Sequence, residues 1–116
     1  MVEILTRGGV YLARLDPVKH NEVGKIRPIV VLTSQRILDA GVSLLFVCPL
    51  SSQSHPKFSH LHVEIPIRDQ LQVVSYALVE HCRSITVQRL VQPRIAQLTP
   101  QELNAITRHL QLLIGH

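Results

Sequence analysis

Two polar positions stand where polar loops meet strand-like runs, and their side chains suit phosphate chemistry. Arg27 precedes Pro28 and the β-branched run that begins at Ile29, and Ser51 follows the apolar run that ends at Leu50. Proline fixes its own φ and pushes the preceding residue toward extended geometry, so Arg27 is held at the foot of a strand. A guanidinium donates in a fork to phosphate oxygens, and a serine hydroxyl donates to the same oxygens. If the two strands are neighbours, the sequence predicts a phosphodiester-binding cleft.

Proton transfer in such a cleft needs side chains other than Arg27 and Ser51. Arginine stays protonated at neutral pH, and an unactivated hydroxyl is far from ionised. The same two loops supply His20, Glu22 and His55 as titratable groups. On the residues alone, a loop-anchoring or surface role for Arg27 stays open beside the catalytic one.

Other chemical motifs are weak. His60 and His62 are predicted to share one face of a strand, but no third metal ligand is spaced nearby, so we expect a solvated strand face. Gly8 and Gly9 lack the helix and lysine of a phosphate-binding loop. The serines at 51 and 52 lack the glycines of a nucleophile elbow. The sequence therefore predicts neither a metal nor a cofactor.

Length and composition indicate one globular domain, residues 1–116, with a hydrophobic content of 46% and a charged content of 17%. Aromatic residues make up 3%, which argues against a nucleic-acid surface of stacked aromatics. The net charge is +4, and most of the basic residues are arginines, which suit planar anions. Cys48 and Cys82 lie in apolar stretches and are expected to be buried free thiols. No signal peptide or membrane span is predicted, so a cytoplasmic protein is expected.

The elements that must position the two side chains are mostly strands. The hydrophobic patterns predict strands at 10–15, 29–33, 42–50 and 60–67, and a bent strand within 73–85. Short helices are predicted at 35–40, between Ser34 and Gly41, and at 86–91. Thr99 to Glu102 form a capping box, which begins a C-terminal helix that ends at Gly115. This order predicts a small antiparallel β-barrel or half-barrel with helical cover, with two polar loops at 18–27 and 51–59.

A longer succession of short motifs resembles one family. The stretches are GGVYL at 8–12, LDP at 15–17, NE at 21–22, GKIRPIVVL at 24–32, VCPLSS at 47–52, HVEI at 62–65, LVEHCRSI at 78–85 and RL at 89–90. Together they span essentially the whole chain in order, and they are similar to the MazF/PemK (Kid) toxins of type II toxin–antitoxin systems.

The resemblance implies a mainly β fold with some α structure, an SH3-like antiparallel β-barrel of the CcdB/Kid/MazF type, with short helices and a C-terminal helix, which forms a homodimer. It implies a metal-independent endoribonuclease, an mRNA interferase, that cuts single-stranded RNA at short sequences. The products would be a 2′,3′-cyclic phosphate and a 5′-hydroxyl, and a cognate antitoxin would block the RNA site. The family's catalytic arginine and threonine fall on Arg27 and Ser51. The expected RNA contacts come from both polar loops: His20, Asn21, Glu22, Lys25, Ser52, Gln53, His55 and Lys57.

Some residues depart from the family pattern. Ser51 keeps the threonine hydroxyl but lacks the methyl that restrains χ1. Gly9 and Thr86 stand where acids are common, which puts structural ion pairs in doubt, and Val23 stands where glutamine is usual in the loop. The attacking 2′-hydroxyl would be deprotonated by water or by His20. Two alternatives remain: a toxin of the same fold that binds DNA gyrase, and an inactive relative that binds only RNA or antitoxin.

Overall fold

The structure is a computed structural model that describes residues 4–15 and 26–115, with Gln92 described by its backbone alone. Within these residues seven strands form an antiparallel sheet. They are β1 (Gly9–Arg14), β2 (Ile26–Val31), β3 (Leu44–Ser51), β4 (Val63–Ile65), β5 (Ser75–Ala77), β6 (Arg83–Thr86) and β7 (Leu90–Gln97). Two α-helices accompany them, α1 (Gln35–Ala40) and α2 (Pro100–Ile114).

The sheet has the order β4-β5-β3-β2-β1-β7, with β6 also paired to β3. Strand β3 pairs with three other strands. Its first half pairs with β6, its middle with β2 and its last two residues with β5. The predicted class, mainly antiparallel β with a C-terminal helix, is confirmed. Among the described strands, β4 and β7 stand at the two ends of the order and are not paired with each other, so the sheet is not closed into a barrel.

The capping residues in the sequence correctly predicted where both α-helices begin and end. The Ser34 side chain accepts a hydrogen bond from the third residue of α1, and Gly41 ends that helix with a φ of 81°. Thr99 and Glu102 form the predicted capping box of α2, and Gly115 ends it in the left-handed conformation. Neither of these helices, nor any other in the described part of the chain, is long and apolar enough to cross a membrane.

Alternating residues of the central strands fill two separate cores. Val10, Val30 and Cys48 face one cluster, which α2 covers with the fully buried Ile106. Residues one position away on the same strands, such as Tyr11 on β1, face the other cluster. Both faces of β2 are therefore buried, as its nearly continuous β-branched run predicted.

The prediction for residues 60–67 was wrong in its first half. A 3₁₀ helix occupies Pro56–Leu61, and the strand is only Val63–Ile65. His62 is therefore not on a solvated strand face: it is buried, with an exposed fraction of 8%. Proline suits the first turn of a helix, and Pro56 begins this one.

The second half of the chain also contains more, and shorter, strands and turns than its hydrophobic pattern predicted. The apolar stretch 73–85 forms β5, a 3₁₀ turn at Val79–His81 and β6. The short helix predicted after Thr86 is a 3₁₀ turn at Val87–Arg89, and the Thr86 side chain makes no capping bond there. Strand β7 was missed because it contains Pro93, which cannot donate to a sheet. The sheet tolerates this proline because β7 is at an edge and its register with β1 is irregular.

Gly9 is glycine for a steric reason. A Cβ atom there would lie 2.8 Å from the Thr6 hydroxyl oxygen and 2.8 Å from the ring of Tyr11. Both are closer than real Cβ contacts, so an acidic side chain would not fit unless these neighbouring side chains shifted. The tight turn at the start of β1 thus accounts for the departure at this position.

An ion pair joins the start of α2 to the loop after β4. The guanidinium of Arg68 donates two hydrogen bonds to the carboxylate of Glu102. Burial raises the pKa of Glu102, but the bonds from Arg68 and from Thr99 outweigh burial and hold this pKa below its usual value. The ionised form is therefore favoured by folding.

Replacing Glu102 with glutamine is expected to lower the free energy of unfolding by about 1 kcal/mol at pH 7. Glutamine can still complete the capping box, so the loss reports the ion pair. Because folding lowers this pKa, the stabilisation is present above the usual glutamate pKa and disappears as the pH falls through the lowered value. Urea unfolding of both proteins between pH 7 and pH 3 measures this. A difference that does not shrink at low pH would contradict the assignment.

Candidate active site

Arg27 and Ser51 lie where β2 and β3 separate. The two strands are antiparallel neighbours, which is the condition that the predicted cleft required, and their last pair is Ile29 opposite Pro49. Arg27 and Ser51 are the residues two positions beyond that pair on each strand. There the start of β2 stays on β1, while Ser51 turns away to pair with β5. Pro28, which has no N–H to donate, occupies the first position of the opening.

Cavities of the described part of the chain meet at this opening. Arg27 lines three of them, with volumes of about 270, 610 and 540 Å³. Ser51 lines the two larger ones. Arg27 and Ser51 therefore border both of the large cavities.

The two large cavities differ in chemistry. The 540 Å³ cavity is lined by charged and titratable side chains, including Lys57, Glu80 and His81. Apart from Arg27, the 610 Å³ cavity is lined by uncharged polar groups, including Gln70 and Gln72, together with apolar residues. The first suits a charged sugar–phosphate backbone, and the second suits hydrogen bonds to base edges.

Arg27 differs from the neighbouring arginines in the contacts of its side chain. Arg83 donates to the carbonyl of Leu15 at 2.9 Å, and Arg89 donates to the carbonyl of Arg14 at 2.9 Å, so both hold the end of β1 in place. Arg27 is half-buried, and its side chain makes no hydrogen bond or ion pair to the residues that the structure describes. Its backbone belongs to β2, and the residue lines all three cavities.

The Ser51 hydroxyl has a fixed partner. Its oxygen accepts a hydrogen bond of 3.1 Å from the backbone N–H of Gln53. Ser51 lacks the methyl group that would restrain its χ1, and this bond restrains the hydroxyl in its place. The hydroxyl proton remains able to donate to an anion in the cavity.

The structure brings together the predicted residues of the second polar loop. Gln53, His55 and Lys57 line the 540 Å³ cavity with Arg27, and Ser52 lines the 610 Å³ cavity. The predicted residues of the first polar loop lie outside the described residues: His20, Asn21, Glu22 and Lys25.

Sequence reasoning missed the buried pair at the back of the site. His62 bonds Glu80 through Nε2 at 2.8 Å, and its Nδ1 lies 2.7 Å from the Ser54 hydroxyl oxygen. The alternating pattern of 60–67 suggested an exposed histidine, because a local pattern does not reveal a partner 18 positions away. An available signal was that His62 and Glu80 both lie in stretches that resemble the family, HVEI at 62–65 and LVEHCRSI at 78–85.

The two cysteines lie beside the opening, next to Pro49 and Arg83. Cys48 is buried, as predicted, and Cys82 is partly buried. A hydrogen bond with Cys82, together with burial, raises the pKa of Cys48, and the same bond lowers the pKa of Cys82. Both thiols are free.

Comparison with known proteins gives the family. Residues 6–114 match the family described as PemK-like, MazF-like toxin of type II toxin–antitoxin system. This chain is a MazF/PemK-family toxin. It is 31% identical over 113 residues to Endoribonuclease EndoA of Bacillus subtilis, covering 97% of this chain and 96% of that relative. The resemblance found in the sequence is confirmed.

Solved structures share the fold of this MazF/PemK chain. A MazE-MazF structure (Form-II) from Deinococcus radiodurans matches with a TM-score of 0.80 at 22% identity, covering 98% of each chain. The Mycobacterium tuberculosis toxin MazF-mt6 matches with a TM-score of 0.74 at 18% identity, covering 91% of this chain and 95% of that one. The open antiparallel sheet with its C-terminal helix is therefore the MazF fold.

Proposed function

We propose that this chain is a metal-independent, sequence-specific endoribonuclease that cuts single-stranded RNA, mRNA above all, and inhibits growth when it is free of its antitoxin. One observation carries the proposal: Arg27 and Ser51 flank the opening between β2 and β3 and line the same two cavities. The homology to an endoribonuclease supports the same reaction.

In this reaction the ribose 2′-hydroxyl attacks the adjacent phosphorus and the 5′-oxygen leaves. The attacking oxygen loses a proton and the leaving oxygen gains one, which yields a 2′,3′-cyclic phosphate and a 5′-hydroxyl. A guanidinium is a permanent cation in proteins, so the role of Arg27 is to stabilise the charge that grows on the non-bridging oxygens. Ser51 donates its hydroxyl proton to one of these oxygens.

The remaining expectations belong to the same proposal. The whole chain, residues 1–116, acts as one toxin domain in the cytoplasm and forms a homodimer. Its partners are single-stranded RNA and a cognate antitoxin. The antitoxin is supported by a solved MazE-MazF structure that has the same fold. The RNA runs along the second polar loop, from Ser52 to Lys57.

The test is incubation of a long single-stranded RNA with the purified protein in EDTA. Discrete fragments whose ends map to cyclic phosphate and 5′-hydroxyl would support the proposal. Intact RNA with a folded dimer would overturn it and favour an inactive relative or a gyrase-binding toxin. Cleavage only after magnesium is added would refute the metal-independent mechanism.

Replacing Ser51 with alanine is expected to lower kcat by about 10- to 100-fold, because a hydrogen bond to a charged phosphate is lost. Replacing Ser51 with threonine keeps the hydroxyl and should keep kcat within about two-fold of wild type. Single-turnover cleavage of a short RNA measures both. Ser84→Ala, at an exposed serine of β6, is the matched control. Equal rates for Ser51→Ala and the control would remove Ser51 from the mechanism.

A further inference from the structure

A buried histidine stands behind the loop that carries Ser51. The side chain of His62 is 2% exposed, and both ring nitrogens have partners. Nε2 lies 2.8 Å from the carboxylate of Glu80, and Nδ1 lies 2.7 Å from the hydroxyl oxygen of Ser54. A carboxylate only accepts, so the proton on Nε2 points at Glu80 and fixes the orientation of the ring. The ring in turn holds Ser54.

Ser54 directly follows the residue that restrains Ser51. The N–H of Gln53 donates to the Ser51 oxygen at 3.1 Å, and the peptide from Gln53 leads into Ser54. The contacts therefore run without a break from Glu80 through His62 and Ser54 to the turn that contains Ser51. Glu80 itself belongs to the 3₁₀ turn Val79–His81, whose first residue is fully buried in the core.

We propose that Ser54 and His62 are positioning residues that hold the Ser51 hydroxyl in the single rotamer used for RNA cleavage. The inference rests on the proposed function. A threonine at position 51 would restrain its own χ1 through its methyl group, whereas serine depends on an outside partner. That partner is the Gln53 N–H, and it keeps its place only while Ser54 is anchored to His62.

The decisive variants are Ser54→Ala, Ser51→Thr and the double variant. Ser54→Ala is expected to lower kcat about five-fold with little change in KM, since an off-rotamer hydroxyl costs a modest amount. In the double variant, threonine restores kcat to within about two-fold of wild type. A general loosening of the fold would not be repaired by one methyl group at position 51. Wild-type kcat in Ser54→Ala, or no rescue by threonine, would overturn the inference.

His62→Gln tests the other half of the anchor. Glutamine places a donor near the position of Nε2, toward Glu80, and leaves the Ser54 hydroxyl without its hydrogen-bond partner. We expect the same loss of kcat as in Ser54→Ala and no further loss when the two are combined. Additive losses would show that His62 acts independently of Ser54. Ser59→Ala is the control, because among the described residues this exposed hydroxyl bonds only to the backbone carbonyl of Pro56 in the same 3₁₀ helix.

An NMR measurement keeps this inference separate from the proposed activity. Three-bond couplings between Hα and Hβ of Ser51 report its χ1 populations without any RNA. We expect one dominant rotamer in the wild type and averaging in Ser54→Ala, with circular dichroism showing that both are folded. Unchanged couplings would overturn the positioning role even if RNA is cut. If the wild type leaves RNA intact, the proposed function fails, while these couplings still decide the conformational claim.

Discussion

Replacing Arg27 with alanine is expected to slow RNA cleavage by about two to three orders of magnitude while the protein stays folded. The guanidinium stands at the opening between β2 and β3, and among the described residues it has no protein partner whose loss would destabilise the fold. Removing a preorganised donor from a developing anion costs about 10²- to 10³-fold in kcat. Single-turnover cleavage gives the rate, and urea unfolding should show a stability change within about 1 kcal/mol of wild type.

Two further variants show what the Arg27 result means. Arg27→Lys keeps the charge but loses the forked donors, so its rate should lie between wild type and Arg27→Ala. Arg36→Ala removes an exposed arginine on α1 and controls for the loss of positive charge. Rapid cutting by Arg27→Ala would place the chemistry elsewhere. An equal loss in Arg36→Ala would reduce the role of Arg27 to general electrostatic attraction of RNA.

The sequence predicted the features that depend on neighbouring residues. The capping box at Thr99, the left-handed Gly115 and the short helix after Ser34 are set by contacts within a few positions. Both β2 and β3 were predicted as strands from their strongly apolar runs, but their pairing was only the condition on which the predicted cleft depended. This pairing is what brings Arg27 toward Ser51.

Features that depend on distant partners were not predicted. His62 was expected on a solvated face, but Glu80 and Ser54 provide the hydrogen bonds that make its burial possible. Strand β7 was missed since its proline is acceptable only at a sheet edge, and which strand forms the edge is a property of the whole sheet. A one-dimensional pattern contains neither kind of information.

The opening itself combines local and distant causes. Pro28 weakens the ability of β2 to pair on both sides, which a sequence shows. The departure of Ser51 toward β5 depends on Tyr76, which lies 25 positions further along the chain and is its partner. Arg27 and Ser51 could therefore be predicted as site residues from the sequence, but the cavities that they line could not.

The packing of α2 supports the wall of this site, and Ile106 is its fully buried side chain. Ile106 shares a core cluster with Leu61 and Val79, which flank His62 and Glu80 in the chain. Truncating it to alanine leaves a void in a part of the core that several elements share. The truncated protein loses the hydrophobic transfer free energy of the deleted methyl groups and also their van der Waals contacts around the void.

We expect Ile106→Ala to lower the free energy of unfolding by about 3 kcal/mol. Ile37→Ala, the same substitution at a side chain that is 50% exposed on α1, should cost less than about 1 kcal/mol. Urea unfolding at one fixed protein concentration measures both, since dimer stability depends on concentration. A small loss at Ile106 would mean that α2 contributes little to the core. A large loss at Ile37 would mean that α1 is covered in the assembled toxin.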